Sequence, residues 1–134
     1  MPKRLIIDLD HTICTPQENS DQSTDRSRIY KDAEPIAEVV AQIRQYKMDG
    51  FQVVIHTSRN MRTYGGDADL IRLHTLPGIV DWLQRHNIPY DDIVIAKPWC
   101  GYEGFYVDDR AVRPSEFAQL SYEQINTLLA RERK

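Results

Sequence analysis

Asp8 and Asp10 stand two residues apart at the end of a short apolar run, residues 5–7, and Thr12 follows them. A short apolar run bounded by polar turn residues predicts a buried strand of a parallel sheet. Ligands of open α/β sheets bind in the crevice beyond the carboxyl ends of the strands. We therefore expect both carboxylates to approach such a crevice, although a solvated Asp-x-Asp turn is the commoner interpretation of this motif taken alone.

Three further apolar stretches also end in side chains that can do chemistry. Residues 51–55 lead to Thr57 and Ser58, residues 93–95 lead to Lys97, and residues 104–107 lead to Asp108 and Asp109. We call the residues that directly follow a strand its exit. Because parallel strands share one carboxyl edge, we expect these three exits and that of the first strand to lie together. Each exit alone could be a polar turn, but four of them together indicate a site.

The residue types at these exits favour phosphoryl transfer. Several carboxylates at one edge need a cation, and hard oxygen ligands select Mg²⁺ or Ca²⁺ rather than zinc. One carboxylate then remains to act as a nucleophile, which an aspartate can do through an aspartyl-phosphate. Lys97 would neutralise phosphate charge and Thr57 would donate a hydrogen bond to a phosphoryl oxygen.

The spacing of apolar residues predicts the elements that would position these exits. Residues 35–48 and residues 75–87 carry apolar side chains at helical spacing. Ser121 and Gln124 form a capping box that predicts a last helix. Strands alternating with helices indicate a single α/β domain over residues 1–134, with a central parallel sheet covered by helices.

Two polar segments are predicted as loops. Residues 61–73 contain two adjacent glycines, and residues 13–34 are polar over most of their length. Long loops of this kind are functional lids or disordered segments, and both interpretations stay open for residues 13–34.

Composition excludes several classes of function. The net charge of −3 gives no electrostatic reason to expect nucleic acid or an anionic membrane as a partner. No apolar stretch approaches the roughly 20 residues of a membrane span, and the N-terminus does not resemble a signal peptide. Cys14 and Cys100 form neither a disulfide framework nor a zinc pattern. A reduced, cytoplasmic setting is the simplest expectation.

The ordered exits resemble a known superfamily. Asp8-Leu9-Asp10-His11-Thr12 resembles DxDxT, the first motif of the haloacid dehalogenase-like (HAD) phosphatases, and three later stretches are similar to their second, third and fourth motifs: Ile55-His56-Thr57, Lys97, and Val107-Asp108-Asp109. Residues 57–64, 74–77, 97–101, 106–110 and 113–117 look like the small capsule-biosynthesis phosphatase branch. His11 departs from the pattern, since many members carry glycine there.

The resemblance implies a Rossmann-like three-layer sandwich of the HAD type with a minimal cap domain or none. It implies a phosphomonoesterase with Asp8 as nucleophile and Asp10 as general acid and base. The Mg²⁺ ion would be held by Asp8, the Asp10 backbone carbonyl and Asp108, with Asp109 binding directly, through water, or only as a supporting residue. The substrate would be a phosphorylated sugar or polyol from capsule or other surface-polysaccharide synthesis.

Further candidates surround the exits and would bind substrate. They are Thr12, Ser58, Arg59, Arg62, Tyr64 and His74. The two arginines could bind an anionic or hydroxylated group, and a solvated loop is the plainer alternative. Since the chain leaves no room for a separate cap, either a large substrate enters an open site or a second subunit of a homo-oligomer covers it.

Two other functions remain open at this point. One is a phosphatase of a macromolecular substrate, which would also need an open site. The other is a receiver domain, which stores a phosphoryl group on an aspartate and shares the parallel sheet, threonine and lysine. Asp10 discriminates between a phosphatase and a receiver domain, because a base at that position drives turnover rather than storage of phosphate.

Overall fold

The computed structural model describes residues 2–17 and 27–133. The chain forms two compact units, Met1–Trp99 and Cys100–Lys134. Residues 18–26, the middle of the loop predicted over 13–34, lie outside the described residues. The structure therefore does not test whether this loop acts as a lid.

A parallel sheet forms the centre of the first unit. Its strands are β1 (Arg4–Ile7), β4 (Gln52–His56) and β5 (Asp92–Val94), in the order β1-β4-β5. Ile7 is in register with Ile55, and His56 with Val94, so the three strands end at the same edge. The prediction of an α/β fold with a central parallel sheet is confirmed, and its arrangement is compatible with a Rossmann-like sandwich.

Apolar side chains of the sheet and of two helices form the core of the first unit. Val53 and Ile55 of β4 are fully enclosed, as are Ile43, Ile79 and Leu83 on the helices. These helices are α2 (Ala37–Met48) and α4 (Leu76–Arg85). Alternate residues of a strand and every third or fourth residue of a helix can therefore meet in one apolar layer. Within the described ranges, no helix is long and apolar enough to cross a membrane.

Short elements replace parts of the predicted loops. β2 (Cys14–Thr15) and β3 (Glu34–Pro35) pair antiparallel, and α1 (Ser27–Lys31) precedes β3. The helix predicted from residue 35 thus begins at Ala37, because Pro35 belongs to a strand. The loop predicted over 61–73 is wrong at its end, since α3 (Ala68–His74) forms there. Its start is stabilised by the Asp67 carboxylate, which accepts hydrogen bonds from the N–H groups of two residues of its first turn.

The second unit contains two helices, α5 (Pro114–Gln119) and α6 (Tyr122–Ala130). The capping box predicted for α6 is confirmed, since Gln124 N–H donates to Ser121 Oγ at 3.2 Å and Ser121 N–H donates to Gln124 Oε1 at 2.8 Å.

The fourth strand predicted over 104–107 is wrong. These residues have no regular secondary structure, and Phe105 and Val107 are 79% and 88% exposed. Gly104 follows a turn at residues 101–103, and a Cβ atom there would clash with the carbonyl oxygen of Cys100. An apolar run becomes a strand only where its backbone finds a hydrogen-bonding partner, and the sequence pattern does not reveal that.

Candidate active site

A tight turn after β1 presents the two aspartates. The Leu9 carbonyl accepts hydrogen bonds from the N–H groups of Thr12, Ile13 and Cys14, and Leu9 itself is buried. Asp8 and Asp10, on either side of Leu9, are partly exposed. His11 has a φ of 63°, in the left-handed region that favours glycine.

The two oxygens of Asp8 have different neighbours. Thr12 Oγ1 donates a hydrogen bond to Asp8 Oδ2 at 3.0 Å. Lys97 Nζ lies 3.6 Å from Asp8 Oδ1, with side chains that are 18% and 33% exposed for Lys97 and Asp8. Oδ1 therefore faces a cation at a partly open position, where an incoming anionic group would meet both residues.

Asp10 is held by Arg59 through two hydrogen bonds. Arg59 Nε donates to Asp10 Oδ2 at 3.0 Å, and Arg59 Nη2 donates to Asp10 Oδ1 at 2.7 Å. The Arg59 side chain is 3% exposed and that of Asp10 is 21% exposed. The ring of Tyr30 lies 4.2 Å from the guanidinium carbon of Arg59. Arg59, predicted from the sequence as a substrate-binding residue, thus has two of its donors bound to Asp10.

Cys14 completes the surroundings of Asp10. Its thiol lies 3.5 Å from Asp10 Oδ1 and donates toward it. Burial, followed by the nearby charge of Asp10, raises the pKa of the Cys14 thiol to about 12. At neutral pH the thiol is therefore protonated, which makes it a hydrogen-bond donor and not a nucleophile.

Backbone bonds beyond β4 and β5 bring Thr57 and Lys97 next to each other. Thr57 N–H donates to the Val94 carbonyl at 3.0 Å, and Lys97 N–H donates to the Thr57 carbonyl at 3.1 Å. The buried Thr57 hydroxyl accepts a hydrogen bond from Arg59 N–H at 3.1 Å, which fixes its orientation. Three of the four predicted exits therefore meet at one edge, with Asp8, Asp10, Thr57 and Lys97 around it.

His56, the last residue of β4, belongs to the electrostatic surroundings of this edge and was not singled out from the sequence. Burial and then the charge of Lys97 lower the pKa of His56, while Asp8 opposes the change. The neutral imidazole is therefore favoured. Its position directly before Thr57 was the signal available in the sequence.

The remaining substrate-binding candidates lie on the segment that leaves β4. Ser58 is half-buried, and its carbonyl accepts a hydrogen bond from Met61 N–H at 3.0 Å. Arg62 is exposed. The rings of Tyr64 and His74 stack with centroids 5.6 Å apart, so these two candidates contact each other.

The acidic pair of the expected metal site lies in the second unit. Asp108 and Asp109 are exposed, and Asp108 Oδ1 accepts a hydrogen bond from Arg110 N–H at 2.8 Å. Among residues 2–17 and 27–133, no group of three or more histidine, cysteine, aspartate or glutamate side chains could hold a metal ion. The expected ligands are divided between the two units, Asp8 and the Asp10 carbonyl in the first and Asp108 and Asp109 in the second, and Mg²⁺ stays a prediction.

Comparison with known proteins gives two kinds of similarity. No family model matches the chain, and no curated protein matches it significantly. Two chains from structures of the Pnkp1/Rnl/Hen1 complex, one of them described as an RNA repair complex, align with TM-scores of 0.52 and 0.51. Their identities are 19% and 20%, over 76% and 71% of this chain and 28% of each of those chains. At this identity they show a similar fold alone.

The second similarity extends over nearly the whole chain. A crystal structure of an MCSG target from Vibrio cholerae matches 98% of this chain and 99% of its own. The identity is 47% and the TM-score is 0.86. The chain therefore belongs to the same family as this Vibrio cholerae protein.

Proposed function

We propose that the protein is a HAD-like phosphatase that hydrolyses phosphomonoesters through an aspartyl-phosphate on Asp8. One observation carries the proposal: Asp8 Oδ1 lies 3.6 Å from Lys97 Nζ, and the nearby carboxylate of Asp10 is bound by Arg59. A nucleophile, a cation for the phosphoryl group and a separate acid–base group are the parts that this chemistry needs. The resemblance in the sequence motifs supports the same assignment.

In the first step, Asp8 Oδ1 attacks phosphorus and forms an O–P bond as the bond to the ester oxygen breaks. The departing oxygen takes a proton from Asp10. Lys97 neutralises charge on the phosphoryl oxygens, and the Thr57 hydroxyl donates a hydrogen bond to one of them. Thr12 holds the other oxygen of Asp8, which leaves Oδ1 as the attacking atom.

In the second step, a water molecule attacks phosphorus and the bond to Asp8 breaks, which releases inorganic phosphate and restores the Asp8 carboxylate. Asp10 takes the proton from this water. A carboxylate has about four lone-pair positions, so the two bonds to Arg59 leave others available for a proton. The partial exposure of Asp10 supports access by water.

The cofactor in this proposal is Mg²⁺, with Asp8, the Asp10 backbone carbonyl, Asp108 and Asp109 as the ligands that the resemblance implies. The bound ion would neutralise phosphate charge. The proposed substrate is a small phosphorylated sugar or polyol of capsule or surface-polysaccharide synthesis. The net charge of −3 disfavours nucleic acid as an alternative.

A turnover assay tests the proposal. The wild-type protein is incubated with Mg²⁺ and with p-nitrophenyl phosphate or a panel of sugar and polyol phosphates, and released phosphate is counted per enzyme molecule. Many turnovers on at least one ester would support the phosphatase. A single phosphorylation of the protein by a small phosphodonor, without release of phosphate, would favour the receiver-domain alternative. No reaction with any ester or phosphodonor would overturn both.

A further inference from the structure

The guanidinium group of Arg59 is poorly placed to bind a substrate. Its side chain is 3% exposed, and two of its donors already bind the two oxygens of Asp10. The ring of Tyr30, from α1, lies over the guanidinium group at 4.2 Å. A substrate could reach this group only by displacing the ring or the carboxylate.

We propose that Arg59 is a positioning residue that fixes the carboxylate of Asp10 for proton transfer. This inference rests on the proposed phosphatase function. Two parallel N–H···O bonds fix both the position and the plane of a carboxylate, whereas one bond leaves its rotation free. The Cys14 thiol adds a third contact on the same side.

Arg59 is itself held in place from two directions. Its backbone N–H donates to the buried Thr57 hydroxyl, which ties it to the exit of β4. The face of its guanidinium group lies against Tyr30, which comes from the segment before β3. The orientation of Asp10 at the exit of β1 therefore depends on residues from two other parts of the chain, the exit of β4 and α1.

This role predicts which reaction step suffers when Arg59 is removed. The p-nitrophenolate leaving group departs without needing a proton, so formation of the aspartyl-phosphate should be little affected. The following attack of water needs Asp10 as base, and a displacement of about 1 Å in such a group can cost about 100-fold in rate. Arg59→Ala should therefore accumulate phosphorylated Asp8.

Stopped-flow assays with p-nitrophenyl phosphate measure this directly. For Arg59→Ala we expect a burst of about one p-nitrophenolate per enzyme followed by turnover that is roughly 10-fold to 100-fold slower, with no rise in KM. On an alkyl phosphate, whose leaving oxygen needs a proton, we expect no burst, because the first step is slowed as well. Millimolar guanidinium chloride should partly restore turnover by filling the buried slot under Tyr30.

The matched control is Arg72→Ala, which removes an exposed arginine paired with Asp69 and should behave as the wild type. Arg59→Lys keeps the charge but loses the two-point contact, so it should show the same burst with a smaller loss of turnover. If thermal melting shows that Arg59→Ala does not fold, Arg59→Lys serves as the test variant in its place.

Two outcomes would overturn the inference in distinguishable ways. A folded Arg59 variant whose KM rises on every ester, without a burst and without guanidinium rescue, would assign Arg59 to substrate binding. An inert wild-type protein would instead remove the proposed function, and the positioning role with it.

Discussion

The ammonium nitrogen of Lys97 lies 3.6 Å from Oδ1 of Asp8, although the two residues follow opposite edge strands of the three-stranded sheet. Neighbouring strands are about 4.8 Å apart, so Lys97 must cross the exit of β4 to reach Asp8. The hydrogen bond from Lys97 N–H to the Thr57 carbonyl directs the chain that way. Ala96, with a φ of 61°, makes the necessary turn in the backbone.

Replacing Lys97 by methionine should reduce phosphatase activity with little effect on folding. Removing one preorganised group that stabilises developing negative charge costs about 100-fold to 1,000-fold in kcat. The partly exposed pair with Asp8 contributes at most about 1 kcal/mol to stability, so the melting temperature should change little. Steady-state kinetics and thermal melting measure both. Lys31→Met, which changes an exposed lysine on α1, is the control, and equal activity of the two variants would contradict this role for Lys97.

Replacing Asp8 by asparagine should abolish turnover, because an amide oxygen does not form a stable acyl-phosphate. Asp8 accepts a hydrogen bond from Thr12 that the asparagine carbonyl can also accept, so the fold should persist. The measurement is phosphate release together with mass spectrometry of acid-quenched enzyme, which should detect a phosphoryl group on the wild type alone. Asp69→Asn, at an almost fully exposed carboxylate, provides the comparison. Normal hydrolysis by folded Asp8→Asn would exclude the covalent mechanism.

Activity should require Mg²⁺ and be poorly supported by Ca²⁺. Ca²⁺ takes more ligands at longer distances, so it would hold Asp8 in a geometry unsuited to attack. Activity before and after EDTA, and after addition of each ion, tests the requirement. An ion that binds the folded protein alone should also raise its melting temperature. Full activity in excess chelator, with no thermal shift on adding Mg²⁺, would rule out the metal.

The exits at Asp8, Thr57 and Lys97 could be predicted because each follows an apolar strand, and parallel strands in one sheet must share an edge. α3 was missed because its only buried residue is Ile71, so it shows little periodicity. The stretch 104–107 was misjudged because its composition suits a strand, whereas strand formation depends on a partner elsewhere in the chain.

The contacts of the Arg59 side chain could not be predicted from the sequence. Its place after Thr57 correctly put it near the site. Its side chain makes two hydrogen bonds to Asp10 and packs against Tyr30, which lies far away in the chain in a segment without any motif. Long-range packing of this kind leaves no local pattern.

Asp91 joins three elements of the first unit outside the active site. Lys47 Nζ of α2 lies 2.6 Å from Asp91 Oδ1, and Val53 N–H of β4 donates to Asp91 Oδ2 at 2.7 Å. Asp91 directly precedes β5, and its own N–H donates to the Val53 carbonyl. The hydrogen bond from Lys47, and then that from Val53, lower the pKa of Asp91 below its ordinary 3.8.

Asp91→Asn should therefore destabilise the protein at neutral pH and matter less in acid. The unfolded chain takes up the proton at the ordinary pKa and the folded chain only below it, so the stability that Asp91 contributes is present above about pH 5 and lost as the pH falls through the lowered pKa. Because the pair is partly exposed, we expect a loss of about 1 kcal/mol at pH 7, or about 4 °C in melting temperature. Thermal melts of wild type and variant from pH 7 down to pH 3 measure the difference. Asp49→Asn, at the end of α2, is the control, and a difference that grows on acidification would contradict the linkage.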